Sequence, residues 1–463
     1  MNRGPARAAG QMTGGPALKI LLYVDAEELM PGRIYGPDTL VEALAAGQPA
    51  VQFDVRSRTD GERLTKELLE PFDEAWFFLK AVDGDTLVDE EKAALREWMD
   101  CGHGVLVAGD HAVKRSGEIV GLGAEVGEWI PRAGDMRLWN APPSLDPADR
   151  IDSIDAKLGH PSPRLNWFER DEKPQRLLLP VFDGVQPHPI FRDSDGTRLE
   201  RFPDHMHEGK VKLSFDPAKS EWAGVTEETG PKLVAWGIDW RHGRPFELMA
   251  AWDGHAVPTA NGPRGRIVTD SSFHHYVNDN LEGIAAVDGE DWRKIRALYR
   301  NLAAWLAPPA IKRAHIDRAL AWLAGHDRIA DLDDHGDEVV GQQAMDMLAE
   351  VLPGAWLHEM IDDLVAGLRL QRAIAKVPRE AGPYVLGASV RVRMQLARGE
   401  ASTRRRARFK AGQVGEAAAP RTEEPRTAAV IQALDDYGKA LKAKQAELEG
   451  LVAALQEARD AST

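Results

Sequence analysis

Gly102-His103-Gly104-Val105-Leu106-Val107-Ala108-Gly109-Asp110-His111 is the stretch whose reading decides the fold. Two glycines close off what comes before. Val105 to Ala108 is a short apolar run of the kind that forms a buried strand. Gly109-Asp110-His111-Ala112 then turns sharply towards a helix, pushing its apex residue outward with free backbone N–H groups around it.

Upstream, the pattern repeats. Leu18 to Val24 (LKILLYV) reads as a buried first strand ending in Asp25, Ala50 to Val55 as a second and Glu74 to Leu79 (EAWFFL) as a third. Pro37 to Ala46 has helical spacing. Asp89 can cap a helix from Glu90 to Asp100 whose Leu95, Trp98 and Met99 share a face. Strands alternating with helices predict a doubly wound α/β domain, flavodoxin-like or Rossmann-like, with a parallel sheet covered on both faces.

Downstream, 112–210 is irregular and rich in turn pairs. Strand-like runs return at Lys210–Phe215, Lys232–Ile238, Phe246–Trp252 and Arg266–Asp270. Trp292, Ile295, Leu298, Tyr299, Leu302 and Trp305 then recur at helical spacing until Pro308 and Pro309 stop the run. The expected organisation is a disordered leader over 1–17, the α/β domain over 18–309 and a helical region over 310–400. A basic, proline-containing linker over 401–425 and a helix over 426–460 follow. In that last helix Val430, Leu434, Tyr437, Leu441, Leu448, Leu451 and Leu455 fall on a heptad seam, broken by Lys444. That spacing predicts a coiled coil for self-association or for docking a protein partner.

Composition narrows the function classes. The chain has 463 residues, 43% of them hydrophobic, with a net charge of −15. An acidic chain does not suit broad nucleic-acid binding, which needs a basic face; only a basic patch at 404–410 (Arg404, Arg405, Arg406, Arg408, Lys410) could contact phosphates, and it also reads as solvated linker. No apolar run approaches the roughly 20 residues that span a bilayer. The single cysteine, Cys101, fits a reducing, cytoplasmic setting.

In such sheets, ligands bind beyond the carboxyl ends of the strands. The candidates there are Asp25, Asp110, His111, and the run Ser271-Ser272-Phe273-His274-His275-Tyr276. His111 with His274 or His275 could transfer protons, because imidazole titrates near neutral pH; the other reading is structural histidines. Asp110 and Asp25 could orient a group, bind a hydroxyl, or cap a helix. Trp139, with Trp167 and Trp240 as looser candidates, could line a ligand wall. His205-Met206-His207-Glu208 could hold zinc or another divalent metal, since alternate histidines of an extended segment share a face; otherwise it is a solvated polar loop.

These residues resemble the ThuA-like branch of the class I glutamine-amidotransferase-like superfamily over about residues 18–307. The carriers are Gly102 to His111, the closing run Gly265-Arg266-Ile267-Val268-Thr269-Asp270-Ser271-Ser272-Phe273-His274, and His188-Pro189-Ile190, with Glu208 in the place of a following acidic residue. The resemblance implies a carbohydrate or other small polar metabolite as substrate, handled by a hydrolase or acid–base enzyme, with His188 near the ligand. It does not imply glutamine hydrolysis. That reaction needs a cysteine at the elbow, where this chain has Asp110 and His111, and Cys101 lies upstream of the strand. The alternative is a retired catalytic fold whose C-terminal helices assemble the protein.

Overall fold

The structure, a computed structural model, describes residues 15–45, 47, 49–79, 87–109, 137–140, 174–181, 186–203, 209–212, 224–239, 244–324, 326–330, 335–372, 383, 386–387 and 389–390. The Asp110, His111, His205, His207, Glu208, 404–410 and 426–460 expectations therefore lie outside the described residues.

Seven strands form the central sheet: β1 (Leu18–Val24), β2 (Val51–Ser57), β3 (Glu74–Leu79), β4 (Gly104–Gly109), β5 (Lys232–Asp239), β6 (Arg244–Trp252) and β7 (Ile267–Asp270), in the order β2-β1-β3-β4-β7-β6-β5. β2, β1, β3, β4 and β7 are mutually parallel in the flavodoxin-like order. Register is continuous across them: Val24 pairs with Phe78, Phe78 with Ala108, and Ala108 with Asp270. The protein is thus an α/β doubly wound domain.

The sheet departs from the all-parallel expectation at one edge. β6 runs antiparallel to both β7 and β5. The reason is connection length. Only residues 240–243 separate β5 from β6, and a parallel pairing needs a crossover of about a dozen residues or more. A second departure is Gly209–Lys212, which pairs with Arg137–Asn140 in a separate two-stranded sheet.

Side-chain alternation divides the core. On one face Leu21, Tyr23, Ala75, Phe77, Val105 and Val107 pack with Leu95, Trp98 and Met99 of α2 (Asp89–Met99), joined by Val211. α1 (Asp38–Ala45), α3 (Asn278–Val287) and α4 (Glu290–Leu306) contact one another. The spacing read from Trp292 to Trp305 is the buried stripe of α4. α2 begins one residue earlier than its sequence suggested. Its entry is held by Glu91, whose carboxylate accepts from the Val88 amide at 3.0 Å, so Asp89 is already helical.

One buried ion pair lies near the end of β2. Arg58 donates to Glu91 at 2.7 and 3.1 Å, and Glu91 also accepts from the Leu64 amide at 3.0 Å. Two glycines at the opposite end permit contact that a side chain would prevent. A Cβ on Gly104 would lie 2.2 Å from the Leu306 carbonyl oxygen, and one on Gly265 1.7 Å from that of His103.

The chain divides into two compact units, Thr13–His315 with Pro353–Trp356, and the remainder. The first contains the sheet. The described residues from Pro309 to Arg372 are mainly helical: α5 (Pro309–Ala324), a turn at Asp327–Ala330, α6 (Asp337–Ala349) and α7 (Gly354–Arg372). No helix among the described residues is long and apolar enough to cross a membrane.

Candidate functional site

The carboxyl ends of β1 and β7 bring two loops together. The loop after β1 begins at Asp25, which is 3% exposed, and runs through Arg33, Ile34, Tyr35 and Gly36. The turn after β7 carries Ser271 to Tyr276. Asn278 joins them. Its Nδ2 donates to the Arg33 carbonyl (3.0 Å) and Asp38 Oδ2 (2.8 Å), while its Oδ1 accepts from the Thr39 amide (2.9 Å) and hydroxyl (3.0 Å). Backbone bonds from Asn278 N to Gly36 O (2.8 Å) and Asp279 N to Ile34 O (3.0 Å) complete the seam.

At this seam Tyr35 meets His274 edge to face, ring centroids 5.4 Å apart at 87°. Phe273 stacks on His274 from its own turn, at 4.2 Å and 25°. Tyr35 is half-buried. His274 is 5% exposed, whereas His275 is fully enclosed. Both imidazoles are therefore buried, and the two ring nitrogens of His274 lie away from the surface.

His275 belongs to a buried polar network around Asp270. Its Nδ1 lies 2.8 Å from Asp270 Oδ1, and the Tyr276 hydroxyl donates to Oδ2 at 2.6 Å. The Ser272 amide donates to Oδ1 at 3.2 Å. From α4, the Tyr299 hydroxyl donates to the His275 carbonyl. Burial, then the charge of Asp270 and the bond to it, push the Tyr276 phenol well above its ordinary range, so it keeps its proton. Aromatic packing seals the network: Phe78 stacks on Tyr276 at 5.0 Å, and Phe202 lies 4.6 Å from His275.

His188 stands elsewhere. It packs edge-on against Trp305 at 4.9 Å, beside Arg266 and Asp253. Arg266 precedes β7, donates to Asp253 Oδ1 at 2.8 Å and to the Trp305 carbonyl at 2.9 Å. This is the amino end of β7, so the structure does not bring His188 to His274. Burial, followed by the charge of Arg266, depresses the His188 imidazole to about 3, against the opposing pull of Asp253. Trp139 lies in the strand Arg137–Asn140, opposite Lys210. Cys101 is exposed in the turn after α2, ahead of β4, at the edge opposite the carboxyl ends of the parallel strands.

The residues that sequence reasoning left out of the site are Asp270, Tyr35 and Asn278. Asp270 carried a usable signal, as an acidic residue closing an apolar strand. Tyr35 and Asn278 carried none, because their meeting depends on two loops far apart in the chain. Among the described residues, no group of three or more His, Cys, Asp or Glu could hold a metal ion.

The fold and this seam define a doubly wound α/β protein with a polar, aromatic-flanked carboxyl edge. No protein-family model matches the sequence, and no curated protein matches it. Solved structures similar to it include a ThuA-like protein of Bacteroides uniformis, at 13% identity and TM-score 0.33, covering 66% of this chain and 95% of that one. Another is a ThuA-like protein of Parabacteroides merdae, at 13% identity and TM-score 0.29, covering 60% and 91%.

Proposed function

We propose that the carboxyl edge of the sheet binds a small polar metabolite of the carbohydrate class, and that His274 is its proton-transferring group. The observation that carries this reading is the Tyr35–His274 seam. A buried imidazole at the ligand-binding edge of a doubly wound sheet has the half-buried Tyr35 ring standing beside it, so Tyr35 covers it from the loop side. Aromatic faces pack on the apolar faces of sugar rings, and Asp25 and Ser271, which follow β1 and β7 at the same edge, are of a chemistry suited to hydroxyls. His111, two residues beyond β4 in the sequence, is the second acid–base group of this reading. The fold's cysteine chemistry is replaced by histidine chemistry, in a ThuA-like protein that does not hydrolyse glutamine.

The test is a panel of mono- and disaccharides and their acids, scored by thermal shift on the full chain. A ligand present at about 100 times its Kd stabilises the folded state by about 2.7 kcal/mol. The expected result is a stabilising ligand whose effect disappears in His274→Ala and weakens in Tyr35→Ala. Full retention in both variants overturns the site. No ligand in the panel, together with oligomers that dissociate when residues 426–463 are removed, favours the assembly reading instead.

A further inference from the structure

We propose that Asp270 is the positioning residue of this site, a buried carboxylate that folds the turn on which His274 is presented. The inference rests on reading His274 as the working group, but its evidence is independent of any ligand.

Asp270 is the last residue of β7 and has no exposure. Its carboxylate gathers donors from two, five and six residues further on: the Ser272 amide, His275 Nδ1 and the Tyr276 hydroxyl. Three such bonds to one carboxylate define the path of a six-residue turn. The remaining bonds follow from that path. Ser272 Oγ accepts from the His274 amide at 3.2 Å, and Tyr299 secures the His275 carbonyl from outside the turn. His274 is thus bracketed by fixed residues on both sides while its own ring lies between Tyr35 and Phe273. The tandem histidines have divided labour. His275 is anchored inward by Asp270, and that inward anchor turns His274 towards Tyr35. A carboxylate is needed because one side chain must accept from three donors, and charge-assisted bonds are the stronger kind.

The experiment follows His274 by NMR in ring-labelled histidine samples, with His274→Gln identifying its signal among the 14 histidines. Phe273 and Tyr35 impose ring-current shifts on the His274 protons, so the signal reports its place between them. Asp270→Asn keeps the shape but replaces one acceptor with a donor. The expected result is a His274 signal that leaves its wild-type position and moves towards the unstructured value. Tyr276→Phe removes one of the three donors without disturbing ring packing, and a smaller shift in the same direction is expected. It also decides the matter should Asp270→Asn fail to fold. Asp253→Asn, which breaks a partner of Arg266 near the other end of β7, is the control for general destabilisation.

An unmoved His274 signal in the folded Asp270→Asn and Tyr276→Phe proteins overturns the proposal. So does an equal movement in Asp253→Asn, which would make the effect one of stability alone. These outcomes are separable from the site reading. Ligand binding lost in His274→Ala with the signal unmoved in Asp270→Asn removes this inference and leaves the site. The opposite pair of results leaves Asp270 as the organiser of a turn that binds nothing.

Discussion

Removing the Glu91 carboxylate strands a buried cation, and the size of the penalty can be worked out from its neighbours. Arg58 and Glu91 are 1% and 3% exposed at the side chain and meet at 2.7 Å. In Glu91→Ala the guanidinium loses this carboxylate and keeps the Tyr23 hydroxyl at 3.2 Å among its bonds. The Leu64 and Val88 amides lose their acceptor too. Breaking one side of a buried pair costs about 3–5 kcal/mol. In a domain this large, 1 kcal/mol moves the midpoint by about 2–4 °C, so a fall of about 10 °C is expected. Urea unfolding and thermal melts measure it. The decisive comparison is Arg58→Met with Glu91→Leu. Removing both charges should be less destabilising than removing Glu91 alone, with the amides accounting for what remains. A loss under about 1 kcal/mol in Glu91→Ala, or a double variant no better than the single, refutes the buried-charge reasoning. The pH dependence is a second arm. Burial works to raise the Glu91 carboxyl, but bonds from Arg58 and from the Val88 and Leu64 amides hold it below its ordinary value. Its contribution is therefore complete above the ordinary carboxylate range and is lost as pH falls through the folded value. Glu91→Gln should flatten that acid limb.

Three further outcomes are expected. His188 stays neutral down to about 3 when folded but takes a proton near its ordinary value of 6.5 when unfolded, so stability should fall as pH drops from 6.5 towards 3. His188→Gln should reduce that slope in pH-dependent denaturant titrations. Burial first, with Asp73 adding to it against the Trp76 bond, holds the Glu74 carboxyl well above its ordinary range. Wild-type stability is then full in acid and declines as pH rises above the ordinary carboxylate range, and Glu74→Gln should gain relative to it over that rise. Gly265→Ala drives a Cβ against the His103 backbone and should destabilise by about 1–3 kcal/mol or more, read as a lowered midpoint.

What the sequence disclosed follows from locality. β1 and β3 carry the same bounds in sequence and structure, because each is a largely apolar run, with Lys19 the one charge inside β1 and Glu74 opening β3. The α4 stripe was equally legible, since its buried residues recur every three or four positions. α3 was not. Its first turn buries Asn278, Asp279 and Asn280, so polar residues face inward and the apolar period is missing. The direction of β6 was hidden in the length of its connections rather than in its own residues. At the candidate site, what was legible was position: Asp25 and His274 follow the carboxyl ends of β1 and β7, as their places in the sequence suggested. The partition between His274 and His275 was not, because two adjacent imidazoles look alike until a buried carboxylate selects one.

The position of β7 has a consequence for how the protein is made. It is the last strand of the sheet to leave the ribosome, yet it lies inside the sheet between β4 and β6. From Gly109 to Ile267 the growing chain has an open β4 edge, unpaired on the side that β7 will fill. At roughly 5–20 residues per second this interval lasts on the order of 10–30 s. An unpaired apolar strand edge is a template for the wrong partner. Truncations ending before Ile267 should therefore aggregate through β4, and the His274 turn cannot form until insertion of β7 closes that edge.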